Sequence, residues 1–171
     1  PESSGNGNGS QCCVNLVALT LSGQSRAPKR SALLRKAGIM LTIAIPTNRG
    51  FKARTVESLM NMVAHSKLDY HFVFPTEGYN TAENRNLAVA QAIKNGSEYL
   101  LISDDDMVYP KDSLERLLAH GKDIIGVLYS VRKLPRPFVI TYEGKMNDEE
   151  AKKRTEPFRC EAIGTGLMLV K

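Results

Sequence analysis

The chain has 171 residues, 42% hydrophobic and 24% charged, which suits one domain with a real core and excludes a low-complexity polymer. No apolar run approaches the ~20 residues that span a bilayer, so no transmembrane segment is expected. The net charge of +5 is unevenly placed: residues 1–39 hold five basic residues (Arg26, Lys29, Arg30, Arg35, Lys36) against Glu2, leaving 18 basic and 17 acidic residues in 40–171. No aromatic is interleaved with the basic residues and no nucleic-acid motif accompanies them, so no specific nucleic-acid partner is expected. Cys12 and Cys13 are adjacent and Cys160 is remote. That spacing makes neither a disulfide framework nor a zinc site, and a reducing, cytoplasmic compartment is the simpler reading.

Residues 1–11 are rich in Gly, Ser and Asn and read as disordered; residues 12–38 show no clear period. A new regime starts at Met40, a candidate start codon. Residues 1–39 are accordingly expected to be a leader or tail, and 40–171 the folded domain. Residues 41–45 are a buried-strand signal. Val56, Leu59, Met60, Val63 and Ala64 then recur at helical spacing. Residues 71–74 read as a second strand, and 81–94 as a helix stopped by Asn95-Gly96. Residues 99–102 read as a third strand. Pro110 opens a helix carrying Leu114, Leu117 and Leu118, and 124–128 form a fourth strand. Strands alternating with helices predict βαβ units and a mostly parallel sheet. Beyond that the pattern loosens: 138–142 and 167–170 read as strands, and the charged stretch 147–156 as a loop or exposed helix.

In open α/β sheets, ligands bind beyond the carboxyl ends of the strands. The first strand ends in Pro46-Thr47-Asn48-Arg49-Gly50, the second in Thr76-Glu77-Gly78-Tyr79-Asn80, and the third in Asp104-Asp105-Asp106. Three adjacent carboxylates repel one another, and a cation commonly compensates them; hard oxygen ligands select Mg²⁺ or Mn²⁺. The bland reading is a solvated acidic turn. Arg85 falls early in the helix after the second strand, facing the same edge, where anions are favoured. A cation, amides, hydroxyls and a metal-competent acidic group are what a nucleoside diphosphate requires.

Residues 40–171 resemble the donor-binding half of a family 2-type glycosyltransferase with a GT-A fold. The resemblance rests on Ile43-Ala44-Ile45-Pro46-Thr47, on Asn84-Arg85-Asn86 opening a helix, on the Asp-x-Asp of Asp104-Asp105-Asp106 after an apolar strand, and on Gly164-Thr165-Gly166 before the last strand. It implies a three-layer α/β/α, Rossmann-like fold with a mostly parallel central sheet. The function it implies is metal-dependent transfer of a sugar from a UDP- or GDP-sugar to a glycan, protein or lipid acceptor, with Mn²⁺ or Mg²⁺ as cofactor. Pro46, Thr47 and Arg49 would line the nucleotide pocket, Glu77 would face the base, and Arg85 would touch base or phosphate. Asp104 would contact the ribose or sugar side and share the metal with Asp106, Asp105 being the alternative partner. Gly164, Thr165 and Gly166 would lie on the acceptor side; on their own they read equally as a bulge or turn. In the family the catalytic base follows that last strand, which here is followed only by Lys171, so no residue is assigned that role and the domain reads as incomplete at its C-terminus. Two other readings stay open: a non-catalytic nucleotide-sugar-binding fragment, and a nucleotidyltransferase, for which the loop Thr47-Asn48-Arg49-Gly50 is too short.

Overall fold

The computed structural model describes residues 16–19, 38–48, 50–66, 68–76, 78, 80–131, 134–135 and 137–171. In chain order the elements are β1 (Leu16–Leu19), β2 (Met40–Ala44), α1 (Ala53–Ser66), β3 (Asp69–Val73), α2 (Thr81–Lys94), β4 (Tyr99–Ser103), α3 (Ser113–Ala119), β5 (Ile124–Val127), β6 (Ile140–Tyr142), α4 (Asp148–Lys153), β7 (Phe158–Ile163) and β8 (Leu167–Val170).

The strands form one sheet of eight in the order β3-β2-β4-β8-β5-β1-β7-β6. This corrects the expected three-layer, mostly parallel architecture: the sheet is mixed, and antiparallel pairings are the majority. β2 pairs parallel with β3 and β4, and β1 with β5. β8 runs antiparallel between β4 and β5, and β7 is antiparallel to both β1 and β6. The cause is visible in the chain. Neighbouring parallel strands need crossovers of a dozen or more residues, and past β5 the one described helix is the six-residue α4.

A second correction concerns residues 1–39. Leu16–Leu19, inside the stretch read as a leader, is β1 and lies within the sheet between β5 and β7.

β4 is buried along its whole length, as an unbroken apolar run requires. Leu41, Ile43, Leu101 and Leu169 pack with Leu59 and Met62 of α1 and with Leu114, Leu117 and Leu118 of α3. Ala44, Leu100 and Ile102 pack with Ala88 and Ala92 of α2. The small alanines bring α2 close to the sheet and so position its first turns beside the ends of β2 and β4. The buried stripe of α1 is Thr55, Ser58, Leu59, Met62, Val63 and Ser66; it keeps Leu59 and Val63 of the expected pattern, while Met60 is 57% exposed.

Candidate functional site

β2, β3 and β4 are mutually parallel, so their carboxyl ends share one edge. A cleft of about 440 Å³ opens there. Pro46, Thr47 and Asn48 line it from the end of β2, Thr81, Asn84 and Arg85 from α2, and Asp104, Asp105 and Asp106 from the turn after β4.

The three carboxylates are held differently. Asp105 is bound into the framework: its Oδ2 accepts from Thr47 Oγ1 at 2.6 Å, and its backbone carbonyl accepts from the Lys52 N–H at 2.9 Å. Asp104 Oδ1 faces Arg85 Nη2 at 3.3 Å, and its N–H donates to the Gly166 carbonyl at 3.0 Å. Burial pushes the Asp104 carboxyl above the ordinary carboxylate range; the Arg85 charge and hydrogen bond oppose this, while Asp106 and Asp105 add to it. Arg85 Nε is buried and has no hydrogen-bond partner among the described residues, so the guanidinium retains bonding capacity.

Asn84 ties the end of β2 to the end of β3. It is 1% exposed. Its Oδ1 accepts from the Gly78 N–H at 2.7 Å, and its Nδ2 donates to the Thr47 carbonyl at 3.4 Å and to Asn48 Oδ1. A Cβ on Gly78 would stand 2.8 Å from the Asn84 backbone nitrogen, so glycine is needed for this approach. Asn80 caps α2 by accepting from the Glu83 N–H at 3.0 Å.

Two tyrosines lie behind the acidic turn, against the segment that enters β8. Tyr109 is buried; its hydroxyl donates to the Gly166 carbonyl and lies 3.1 Å from Ser103 Oγ. Tyr129, just past β5, lies against Gly164-Thr165-Gly166, and a Cβ on Gly166 would stand 2.6 Å from its Cε1. Burial raises the Tyr129 phenol, with Asp104 adding to the effect. Register explains why these residues meet: Leu167 pairs with Ser103, so the start of β8 lies at the end of β4.

Six residues picked from sequence therefore share the cleft: Pro46, Thr47, Arg85, Asp104, Asp105 and Asp106. Gly166, with Gly164 and Thr165 before it, adjoins Asp104 through the backbone. Arg49 and Glu77 lie outside the described residues. Sequence reading passed over Asn84 as a structural hub, Tyr109, and Tyr129. The neighbouring Gly-Thr-Gly was the one available signal for Tyr129, since small residues leave room for a ring. Among the described residues no group of three or more His, Cys, Asp or Glu side chains is arranged to hold a metal ion, and no helix is long and apolar enough to cross a membrane. No family model, curated protein or solved structure matches the chain.

The raised Asp104 carboxyl has a measurable consequence. A folded-state pKa above the unfolded one contributes stability that is present in acid and lost as pH rises through the folded value. Asp104→Asn keeps an acceptor for Arg85 and removes the buried charge. It should therefore raise Tm at neutral pH, with the gain shrinking to nothing as pH falls below the carboxylate range. Thermal unfolding of both proteins across pH checks this.

Proposed function

We propose that the chain is a metal-dependent glycosyltransferase domain that takes its sugar from a nucleoside diphosphate sugar, with UDP- and GDP-sugars the first donors to test. The observation that carries this reading is the cleft itself: a guanidinium and a carboxylate group meet at the ends of the parallel strands β2 and β4, beside the start of a helix. The guanidinium suits a phosphate oxygen. Asp106 and Asp104 are the residues that would hold Mn²⁺ or Mg²⁺. Such ions commonly bind through one or two carboxylates plus substrate phosphates, which two aspartates would supply. When bound, the ion supplies Lewis acidity toward the departing diphosphate.

The chain's own residues do the holding. Thr47 keeps Asp105 on the β2 loop, and Asp104 and Asp106 line the same cleft. Arg85 screens Asp104 and offers its remaining donors to phosphate or base. The Gly164–Gly166 segment, packed against Tyr129 and joined to Asp104 through the Gly166 carbonyl, is the side proposed for a glycan, protein or lipid acceptor. No residue is assigned as catalytic base. With its cysteine spacing, the proposed setting is cytoplasmic.

The test is a thermal titration with UDP and GDP, with and without Mn²⁺. Nucleotide at about 100 times Kd should add roughly 2.7 kcal/mol of stability when metal is present, and far less without it. No shift with any nucleotide plus metal overturns the proposal. Sugar release from UDP- and GDP-sugars then separates an enzyme from a binding domain.

A further inference from the structure

Three hydrogen bonds hold the backbone of the acidic turn. The Asp104 N–H donates to the Gly166 carbonyl at 3.0 Å, the Asp104 carbonyl accepts from Ser103 Oγ at 2.9 Å, and the Asp105 carbonyl accepts from the Lys52 N–H. The first two meet at one side chain. Tyr109, in the connection between β4 and α3, donates its hydroxyl proton to the same Gly166 carbonyl, and its oxygen lies 3.1 Å from Ser103 Oγ. The Asp104 N–H, the Gly166 carbonyl, the two hydroxyls and the Asp104 carbonyl thus close a ring.

The Gly166 carbonyl has two lone pairs, one for the Tyr109 proton and one for the Asp104 N–H. Ser103 keeps a proton for the Asp104 carbonyl. Without the phenol, Gly166 would still receive the Asp104 N–H and Ser103 would still reach the Asp104 carbonyl. The Tyr109 hydroxyl is therefore not what satisfies these buried groups; it fixes the direction of the carbonyl that receives Asp104. Its own seat is rigid. Tyr109 is 7% exposed, packs into the main core, and donates its N–H to Ser58 Oγ of α1 at 3.3 Å. Burial raises its phenol above the ordinary value, so it stays a donor. The Tyr129 ring also packs against Gly166.

We propose that Tyr109 is a positioning residue for the cleft: through the Gly166 carbonyl it fixes the Asp104 backbone, and with it the carboxylate that faces Arg85. Groups that orient a ligating side chain commonly matter tenfold or more to what it binds, because a site held ready needs no rearrangement. That Asp104 is positioned for a nucleotide-bound metal rests on the donor reading above; that Tyr109 positions it does not.

The experiment is hydrogen exchange on the full chain, followed by titration of UDP and GDP with Mn²⁺ and with chelator. In Tyr109→Phe, which removes the hydroxyl alone, the Asp104 amide should exchange at least tenfold faster, while the Leu101 and Leu169 amides in the centre of the sheet keep their rates. Mn²⁺-dependent nucleotide affinity should fall at least tenfold, about 1.4 kcal/mol, with metal-independent binding unchanged. Ser103→Ala opens the ring at its other hydroxyl and should speed the Asp104 amide as well; it keeps the test decisive if Tyr109→Phe folds poorly. Three results overturn the proposal: an Asp104 amide untouched by either variant, an Asp104 amide that speeds only in step with those of Leu101 and Leu169, or metal-dependent and metal-independent binding lost together. If the unmodified chain binds no nucleotide with metal, the donor reading fails, and the exchange rates alone decide the role of Tyr109.

Discussion

Asp106→Ala should remove the metal-dependent part of nucleotide binding, a loss of at least a hundredfold or about 2.7 kcal/mol, while leaving a weak metal-independent interaction through Arg85. The asymmetry among the three aspartates underlies this expectation. Asp105 is committed to Thr47, and Asp104 is screened by Arg85. Asp106 lines the cleft beside them and is the proposed metal ligand, so its removal tests that role directly. Calorimetric titration of UDP and GDP into both proteins, with Mn²⁺ and with chelator, measures the two contributions separately. If Asp106→Ala binds nucleotide plus Mn²⁺ as the unmodified chain does, Asp106 is not the metal ligand. Unchanged apo Tm guards against a trivial loss through misfolding.

Asn84→Ala should be the most damaging single change to the framework of the cleft. It leaves the Gly78 N–H and the Thr47 carbonyl without their side-chain partner in a buried setting. An abandoned buried polar group costs about 1–3 kcal/mol, so a loss of about 3 kcal/mol is expected, or roughly 6–12 °C in Tm for a chain of this size. Asn86 is the internal control. It lies two residues further along α2 and is exposed, so Asn86→Ala should change stability by less than about 0.5 kcal/mol. Asn84→Asp sorts the contributions, because it keeps the acceptor for Gly78 and loses the donors to Thr47 and Asn48. Equal Tm losses at 84 and 86 would show that α2 is held by its alanine face alone.

How much of this was legible in the sequence depended on whether a residue's role is local. Helix α2 runs from Thr81 to Lys94 as its Ala-rich run and Asn-Gly stop predict. β8 occupies 167–170 as its apolar run predicts. The acidic turn after β4 and the basic residue on α2 meet in one cleft because βαβ order holds over β2, β3 and β4. The sheet as a whole departed from expectation because strand direction is a property of connections: three residues join β7 to β8, too few for a crossover, and β8 enters antiparallel between β4 and β5. β1 was missed because four apolar residues among irregular neighbours carry no period; pairing on both sides supplies what propensity does not. Asn84 stood inside a recognised segment, yet its burial follows from the close approach of Gly78, which no spacing rule reveals. Met60 matched the apolar period of α1 and is exposed, because serines and threonine at 55, 58 and 66 take part of the buried stripe instead.

The place of β8 bears on how the protein is made. β3, β2 and β4 form one sheet fragment, β5, β1, β7 and β6 another, and Leu167–Val170 is the slat that joins them. A ribosome makes those four residues after β1 to β7. Until they arrive, β4 and β5 each have an open inner side, and the carboxylates after β4 lack the Gly166 carbonyl that receives the Asp104 N–H. The joining of the two fragments and the completion of the acidic cleft thus wait on one and the same segment, through contacts between residues far apart in the chain.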